Sequence, residues 1–310
     1  MKKILIIAIL SASAMVANAQ QDILLTQYMF NHLLVNPGYA GSKEYMMATL
    51  LYRNQWVGWD NAPTTEVASL HGPLGLTNLG WGGLISHDHE GVIDRTNLYA
   101  NFAYHLKLNP KLKLGMGLRG GVGIFTRKTP DKFWDVADPK YNETVNNILP
   151  NLGAGLYLYH ERYYAGISAP EVISYDPNRT LSLNVETTAK DLYNQVRHYF
   201  IAAGCVIQLS GKDLMMRPSI LAKYTLNAPL EGDFNLMFIL NERVWIGGTF
   251  RTGDAIAGII ELQLTKQLRL GYSYDFTTTD IKDYSNGSHE IMIGYDFGVD
   301  FQKIITPRYF

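Results

Sequence analysis

Leu268, Leu270, Tyr272, Tyr274 and Phe276 alternate without a fault against Arg269, Gly271, Ser273 and Asp275. A period of two residues puts the first set on one face of a β-strand and the second on the other. One such strand would suit a soluble sandwich, so a single copy decides little. The pattern recurs along the chain, and the recurrence sets the class. Leu98, Ala100, Phe102, Tyr104 and Leu106 alternate with Asn97, Tyr99, Asn101, Ala103 and His105. Leu112, Leu114, Met116 and Leu118 alternate with Lys113, Gly115, Gly117 and Arg119. Leu214, Met216, Ile220 and Ala222 alternate with Met215, Arg217, Ser219 and Lys223. The whole stretch 45–297 reads as about fourteen strands.

The amino terminus reads as an export signal. Lys2 and Lys3 precede an apolar run from Ile4 to Val16, and Ala17-Asn18-Ala19 supplies a small-x-small cleavage site. The run is shorter than the roughly 20 residues a spanning helix needs. Cys205 is the single cysteine, so no internal disulfide forms, and a bacterial envelope suits such an exported chain. After the signal no stretch has about 18 consecutive apolar residues. The mature chain is therefore soluble, or it crosses a membrane as a closed barrel, which satisfies every backbone group in lipid.

Loop lengths favour the barrel. Links from even to odd strands are short apart from His71 to Asn78, while 123–150, 169–196 and 277–288 all fall on odd-to-even links. Outer-membrane barrels sort their links this way, with tight periplasmic turns and longer outer loops. The fold expected is an all-β, antiparallel up-and-down transmembrane barrel. Its parts are a signal peptide over 1–19, a periplasmic or plug segment over 20–44, the barrel over 45–297 and a tail over 298–310. The location expected is the bacterial outer membrane.

Charge on a lipid-facing position costs about 2–4 kcal/mol at mid-depth, so charges should share the inner parity. They do: Lys113, Arg119, Arg217, Lys223 and Arg269 mix there with Glu261, Asp275, Glu290 and Asp296. Mixed signs predict a cross-linked lumen more than an ion-selective ring. Ahead of the strands, Gln27 to Val35 reads as about two helical turns, stopped at Asn36-Pro37-Gly38. That segment either docks a periplasmic partner or folds into the lumen as a plug.

Motifs with chemical associations have plainer readings. Gly115-Met116-Gly117-Leu118-Arg119-Gly120 matches a dinucleotide fingerprint, but it lies inside an alternating strand and not at a strand-to-helix turn. Gly166-Ile167-Ser168-Ala169-Pro170 lacks the final glycine of a nucleophile elbow. His87-Asp88-His89-Glu90 is the one dense ligand-type cluster, which makes His87 and His89 weak metal candidates and His87, Asp88 and His89 a possible hydrolytic rim site. Asp131 to Asp138 is acidic without calcium-loop spacing. Trp56, Trp59, Trp81, Phe125, Trp134, Trp245 and Tyr295 fall near strand ends, as interface anchors do. A net charge of -1 gives no sign of nucleic-acid binding.

Several stretches resemble the PorP/SprF family of outer-membrane proteins from the Bacteroidetes type IX secretion and gliding machinery. They are Gln27-Tyr28-Met29-Phe30-Asn31, Asn36-Pro37-Gly38-Tyr39-Ala40-Gly41 and Tyr52-Arg53-Asn54-Gln55-Trp56 near the start. Arg217-Pro218-Ser219, Gly271-Tyr272-Ser273-Tyr274-Asp275, Ser288-His289-Glu290 and Pro307-Arg308-Tyr309-Phe310 follow in order. The resemblance implies a non-enzymatic barrel without cofactor. Such a barrel joins the secretion apparatus or anchors a secreted adhesin through the cargo's carboxy-terminal sorting domain. It also implies a periplasmic lipoprotein or peptidoglycan-binding partner. The partner-facing candidates are Gln27, Tyr28, Asn31, Asn36, Pro37, Tyr39, Gly41, Arg53, Gln55 and Trp56, with Phe133 and Trp134 in an outer loop. The competing function is a transporter or channel for a hydrophobic or small polar solute, since a barrel of about fourteen strands lies between filled and open sizes.

Overall fold

The computed structural model describes residues 25–127, 145–173, 196–211, 213–226, 228–298 and 310. The first strands are β1 (Met46–Asn54), β2 (Thr64–Pro73), β3 (Leu79–Glu90), β4 (Ile93–Lys107) and β5 (Lys113–Arg127). They continue as β6 (Val145–Tyr159), β7 (Tyr163–Ala169), β8 (His198–Cys205), β9 (Ile207–Ser210) and β10 (Leu214–Thr225). The last are β11 (Glu231–Leu240), β12 (Val244–Arg251), β13 (Ala255–Gln263), β14 (Leu268–Thr277) and β15 (Ser288–Phe297). All pairings are antiparallel, and β15 pairs with β1 from Met46↔Phe297 to Asn54↔His289. That last ladder closes the sheet into a cylinder and leaves no open edge to manage.

The cylinder has 14 staves, because β8 and β9 are two lengths of one stave, both paired with β10. Proline explains the interruption. Ser219 pairs with Gly204 and Met216 with Ile207, so the register puts Pro218 opposite Cys205. Proline has no N–H for the ladder at that point.

β1 starts and β15 ends at the same end of the cylinder, where the links 74–78, 108–112, 160–162, 211–213, 241–243 and 264–267 are all short. We call this the turn end; in outer-membrane barrels it faces the periplasm. The opposite, loop end carries the longest links, 55–63, 128–144, 170–197 and 278–287.

The outer face is apolar around the wall. Leu98, Phe102, Tyr104 and Leu106 of β4, Met116 and Leu118 of β5, and Ile291, Ile293, Tyr295 and Phe297 of β15 all point outward and exposed. A soluble monomer rarely shows one contiguous apolar patch beyond a few hundred Å². Here the patch is a belt, and lipid is the solvent that suits it. Among the described residues no helix is long and apolar enough to cross a membrane. Leu118, 68% exposed, sits within this belt between Phe102 and Ala154 of the neighbouring strands. Replacing it by arginine is expected to cost about 2–4 kcal/mol of folding free energy in phospholipid vesicles. Urea titrations of wild type and variant in the same vesicles check this, and equal midpoints would place Leu118 outside the hydrocarbon.

The segment before β1 is not the helix expected over Gln27 to Val35. It makes two short 3-10 turns, Tyr28–Phe30 and Pro37–Tyr39, the second on residues read as a stop. Asn36 caps the second turn: its side chain accepts the Gly38 N–H at 2.8 Å and donates to the Leu156 carbonyl at 2.9 Å. Pro37 supplies the fixed φ that suits the first position of the turn.

Candidate functional site: the plugged lumen

Every residue from Leu25 to Ala40 except Leu34 is buried, and all of them lie inside the cylinder. The segment starts near the loop end and reaches β1 at the turn end, crossing the lumen as it goes. The wall is shaped to receive it. Gly115 and Gly117 of β5 and Gly155 of β6 turn bare backbone inward beneath Asn36-Pro37-Gly38. A Cβ on Gly117 would fall 2.2 Å from the Gly38 nitrogen, and one on Gly155 would fall 2.2 Å from Asn36 Oδ1. The fingerprint-like glycines are thus a seat for backbone, with no helix and no phosphate cradle around them.

Wall side chains then hold the plug by its backbone. Arg119 donates to the carbonyls of Leu33 and Leu34, and it is steadied by Asn101 at 2.8 Å. Arg217 donates to the Met29 carbonyl at 2.7 Å, and Ser168 to the Val35 carbonyl at 2.6 Å. His105 Nε2 lies 2.8 Å from the Ala40 carbonyl. Charged donors to a buried carbonyl are worth roughly 1.5–3 kcal/mol each, so these arginines weigh more than the hydroxyl.

At the loop end an ion cluster grips the start of the plug. Arg53 Nη1 lies 2.8 Å from Asp275 Oδ2 and 3.2 Å from Glu290 Oε2. Arg251 pairs with Asp233 at 3.0 Å and approaches Asp275 at 3.7 Å. The Glu290 carboxylate accepts the backbone N–H groups of Thr26 at 2.9 Å and Gln27 at 2.7 Å, and Thr26 Oγ1 donates to Asp275 at 2.6 Å. At the turn end, Arg269 lies 3.6 Å from Glu261 and 3.3 Å from Asp296. Lys113 faces Glu44 at 3.7 Å, and Lys223 faces Glu231 at 3.3 Å. The nine charged residues assigned to the lumen therefore split between two clusters and isolated contacts.

The remaining candidates are placed as follows. Tyr28 OH accepts from Asn235 at 2.6 Å, Asn31 donates to Ser69 at 2.8 Å, and Tyr39 OH donates to the Phe310 carbonyl at 3.2 Å. Gly41 takes φ 73° where a Cβ would fall 2.4 Å from Gly80 Cα. Gln55 and Trp56 are on the loop-end rim, where the Trp56 N–H donates to Ser288 Oγ at 3.1 Å. Phe133, Trp134 and Asp131 to Asp138 lie outside the described residues. A partner reading Gln27 to Tyr39 would have to draw the plug out, since those side chains are buried.

The rim triad is not assembled. His87 and His89 share the outer face, as strand alternation requires, and they contact Thr96 at 2.9 Å and Asp94 at 2.6 Å. Asp88 points into the barrel and accepts from Thr65 Oγ1 at 2.5 Å. Among the described residues no group of three or more metal-ligating side chains converges.

Two groups on the plug are pushed off their ordinary titration. Burial among Tyr28, Tyr39, Tyr157 and Tyr164, with Arg217 nearby, holds His32 well below the usual histidine range, so it is neutral at physiological pH. Burial, then the charge of Arg269, lowers Lys43 to about 7. Its unfolded value is near 10.4. Between these limits the unfolded chain holds more protons, so stability rises with pH from about 7 to about 10 and is flat below that window. Urea midpoints taken across that range are expected to climb in the wild type. Lys43→Met should remove that component of the slope; an unchanged slope would refute it.

A sequence profile described as Type IX secretion system membrane protein PorP/SprF matches residues 17–295. The chain belongs to the PorP/SprF family. It is thus an outer-membrane barrel of the type IX secretion system. Similar solved structures include the outer membrane protein Omp33 of Acinetobacter baumannii, at 7% identity over 83% of this chain and 100% of that one, with a TM-score of 0.48. KdgM porin aligns at 8% identity over 81% and 99%, with a TM-score of 0.38. BamA of Haemophilus ducreyi lacking POTRA domains 1-3 aligns at 9% over 82% and 71%, with a TM-score of 0.41. No curated protein matches the chain.

Some wall residues of this PorP/SprF protein escaped the sequence reading. Asp233 and Arg251, partners in the loop-end cluster, sit at strand ends where alternation is hardest to phase. Arg53, a partner-facing candidate from sequence, bridges two lumenal carboxylates. Its inward parity against Tyr52, which is exposed outside, was the available signal.

Proposed function

We propose that the protein is a closed scaffold of the type IX apparatus, which holds an exported adhesin-type protein at the cell surface through the cargo's carboxy-terminal sorting domain. The observation that carries this reading is the filled lumen. The buried run of residues 25–40, gripped at both ends and along its backbone, occupies the lumen where a solute path would run. A barrel filled in this way acts by its surfaces. Residues 1–19 serve as the export signal, removed before assembly. The turn end meets a periplasmic lipoprotein or peptidoglycan-binding protein, and the chain catalyses no reaction.

The loop end offers the cargo a firm surface. The 55–63 and 278–287 loops are tied by hydrogen bonds from Val57 N–H to the Gly287 carbonyl at 2.8 Å and from Asn286 N–H to the Val57 carbonyl at 2.7 Å. They raise Trp59, 49% exposed, and Tyr284, 74% exposed, with ring centroids 6.2 Å apart. Exposed aromatics on a braced frame are the commonest anchors of protein interfaces.

Affinity purification from native membranes tests the proposal, alongside conductance of the purified barrel in planar bilayers. One large surface protein is expected to co-purify, and the bilayer should stay silent. Trp59→Ala with Tyr284→Ala should release the cargo to the medium while the barrel remains in the membrane. Steady single-channel conductance in the wild type, with no protein retained, would replace this reading by the transporter.

A further inference from the structure

The outer wall carries a groove of about 490 Å³ across β5, β6, β7 and β8. Small residues cut its floor. Ala154 of β6 pairs with Ala169 of β7, while Leu118 on β5 and Tyr199 on β8 stand up at either side. Leu156 and Ile167 carry the groove on toward the turn end. A hydrocarbon chain laid in such a trough touches protein on three sides, where a flat wall offers one, and gains dispersion contacts accordingly.

At the loop end of the groove the chemistry changes. Tyr199 and Tyr224 stand together on the outer face with ring centroids 6.2 Å apart, and tyrosines in that position mark the level of the lipid head groups. Arg197, just before β8, stands beside them. Its Nε donates to the Val172 carbonyl at 2.6 Å, and its Nη1 lies 3.5 Å from Tyr199 OH. The Val172 N–H in turn donates to the Leu152 carbonyl at 2.7 Å, which ties the guanidinium across from β8 to β6 at the head of the groove. Both of its acceptors are uncharged, so the cation keeps its full charge beside an apolar trough. A charge on the lipid face is tolerated near the head groups, where an anion can meet it.

A second groove on the same belt gives the contrast. It measures about 400 Å³ over β1, β2, β3 and β15, and its loop-end residues are Glu66 and His87. An exposed carboxylate there repels a phosphate, so the two grooves differ in the head group they admit.

We propose that the groove over β5 to β8 is a binding site for a lipid of the outer leaflet, one with two or more acyl chains and a net-negative phosphate head. A chain lies over Ala154 and Ala169, and the phosphate sits against Arg197 and the Tyr199 hydroxyl. The occupant is lipid because the groove is part of the apolar belt, and charge complementarity selects the head. The site is independent of the cargo that the loop end holds.

Native mass spectrometry of the full-length barrel, released from detergent, provides the test. The barrel is mixed with equal amounts of dioleoylphosphatidylglycerol and dioleoylphosphatidylcholine, which share their chains and differ in net head charge. The wild type is expected to retain the first roughly fivefold over the second. Arg197→Gln should bring that ratio to about one. Glu66→Gln, at the other groove, should leave it unchanged. Ala154→Leu fills the trough from the lipid side and should cut retention of both lipids, in a barrel whose heat-shifted gel migration shows it folded. Glycerol 3-phosphate in large excess should not displace the bound lipid. A wild-type ratio near one, or a ratio that Arg197→Gln leaves as it was, would overturn the head-group contact. A ratio that shifts equally in Glu66→Gln would show a diffuse field in place of a site. Retention unchanged by Ala154→Leu would overturn the chain seat, and displacement by glycerol 3-phosphate would reassign the site to soluble phosphates.

Discussion

Gly117→Val is expected to open the barrel. The new Cβ would fall 2.2 Å from both the Gly38 nitrogen and the Pro37 carbonyl carbon, atoms of backbone that cannot rotate away. Over-packing a fitted contact costs roughly 1–3 kcal/mol, and more where the neighbour is main chain. That loss falls on docking of the plug and not on the wall, since β5 keeps its ladders to β4 and β6 on either side. The ratio of seated to unseated plug should drop by roughly 5- to 150-fold, at 1.4 kcal/mol per factor of ten. Conductance in planar bilayers, expected to be absent in the wild type, should then appear, and cells should admit bulky antibiotics. Gly120→Val is the control, because its Cβ would point outward with only Leu152 Cδ2 nearby, at 3.6 Å. If Gly117→Val stays as silent as Gly120→Val, the seat does not hold the plug.

Arg53→Met should be the most destabilising single change in the wall. Arg53 is 3% exposed and stands between two carboxylates that are each 1% exposed, Asp275 and Glu290. Removing one member of a buried ion group leaves the rest uncompensated, at a cost of about 3–5 kcal/mol. Arg251 still faces Asp275, so the loss centres on Glu290, which also holds Thr26 and Gln27. Two effects should therefore appear together: a lower urea midpoint and proteolysis of the plug's first residues. Adding Glu290→Gln removes the stranded charge and should recover most of the midpoint. A double variant as weak as the single one would show that the cluster acts by packing and not by charge.

The cylinder was legible from sequence because its evidence is local and repeated. Alternation on β14 needs only neighbours two residues apart, and the sorting of link lengths needs only their order. Charges such as Arg269 and Asp275 declared their inward parity in the same way. The plug was less legible because nothing periodic marks it. Tyr28–Phe30 and Pro37–Tyr39 are single turns, and the second is shaped by Asn36 and by glycines more than 70 residues away. Gly115 and Gly117 were correctly assigned to an inner face, yet sequence gave no sign that main chain would press against them. The pairing of Arg53 with Glu290 depends on the closing ladder between β1 and β15, so it joins residues at opposite ends of the barrel sequence. The His87 and His89 pair failed as a site for a local reason: its third member, Asp88, is on the other side of the same strand.

The order of the chain has a consequence for assembly. The occupant of the bore is made before any stave, and it joins β1 within a few residues. Its gripped start lies near the loop end, so it runs the length of the tube. Threading it through a finished tube would drag Tyr28 and His32 past the turn-end ion cluster. Wrapping the staves around it, with β15 meeting β1 last, avoids that passage. The occupant then works as a mandrel, a former over which the sheet curls to its final diameter, and a barrel assembled without it would have to find that curvature unaided.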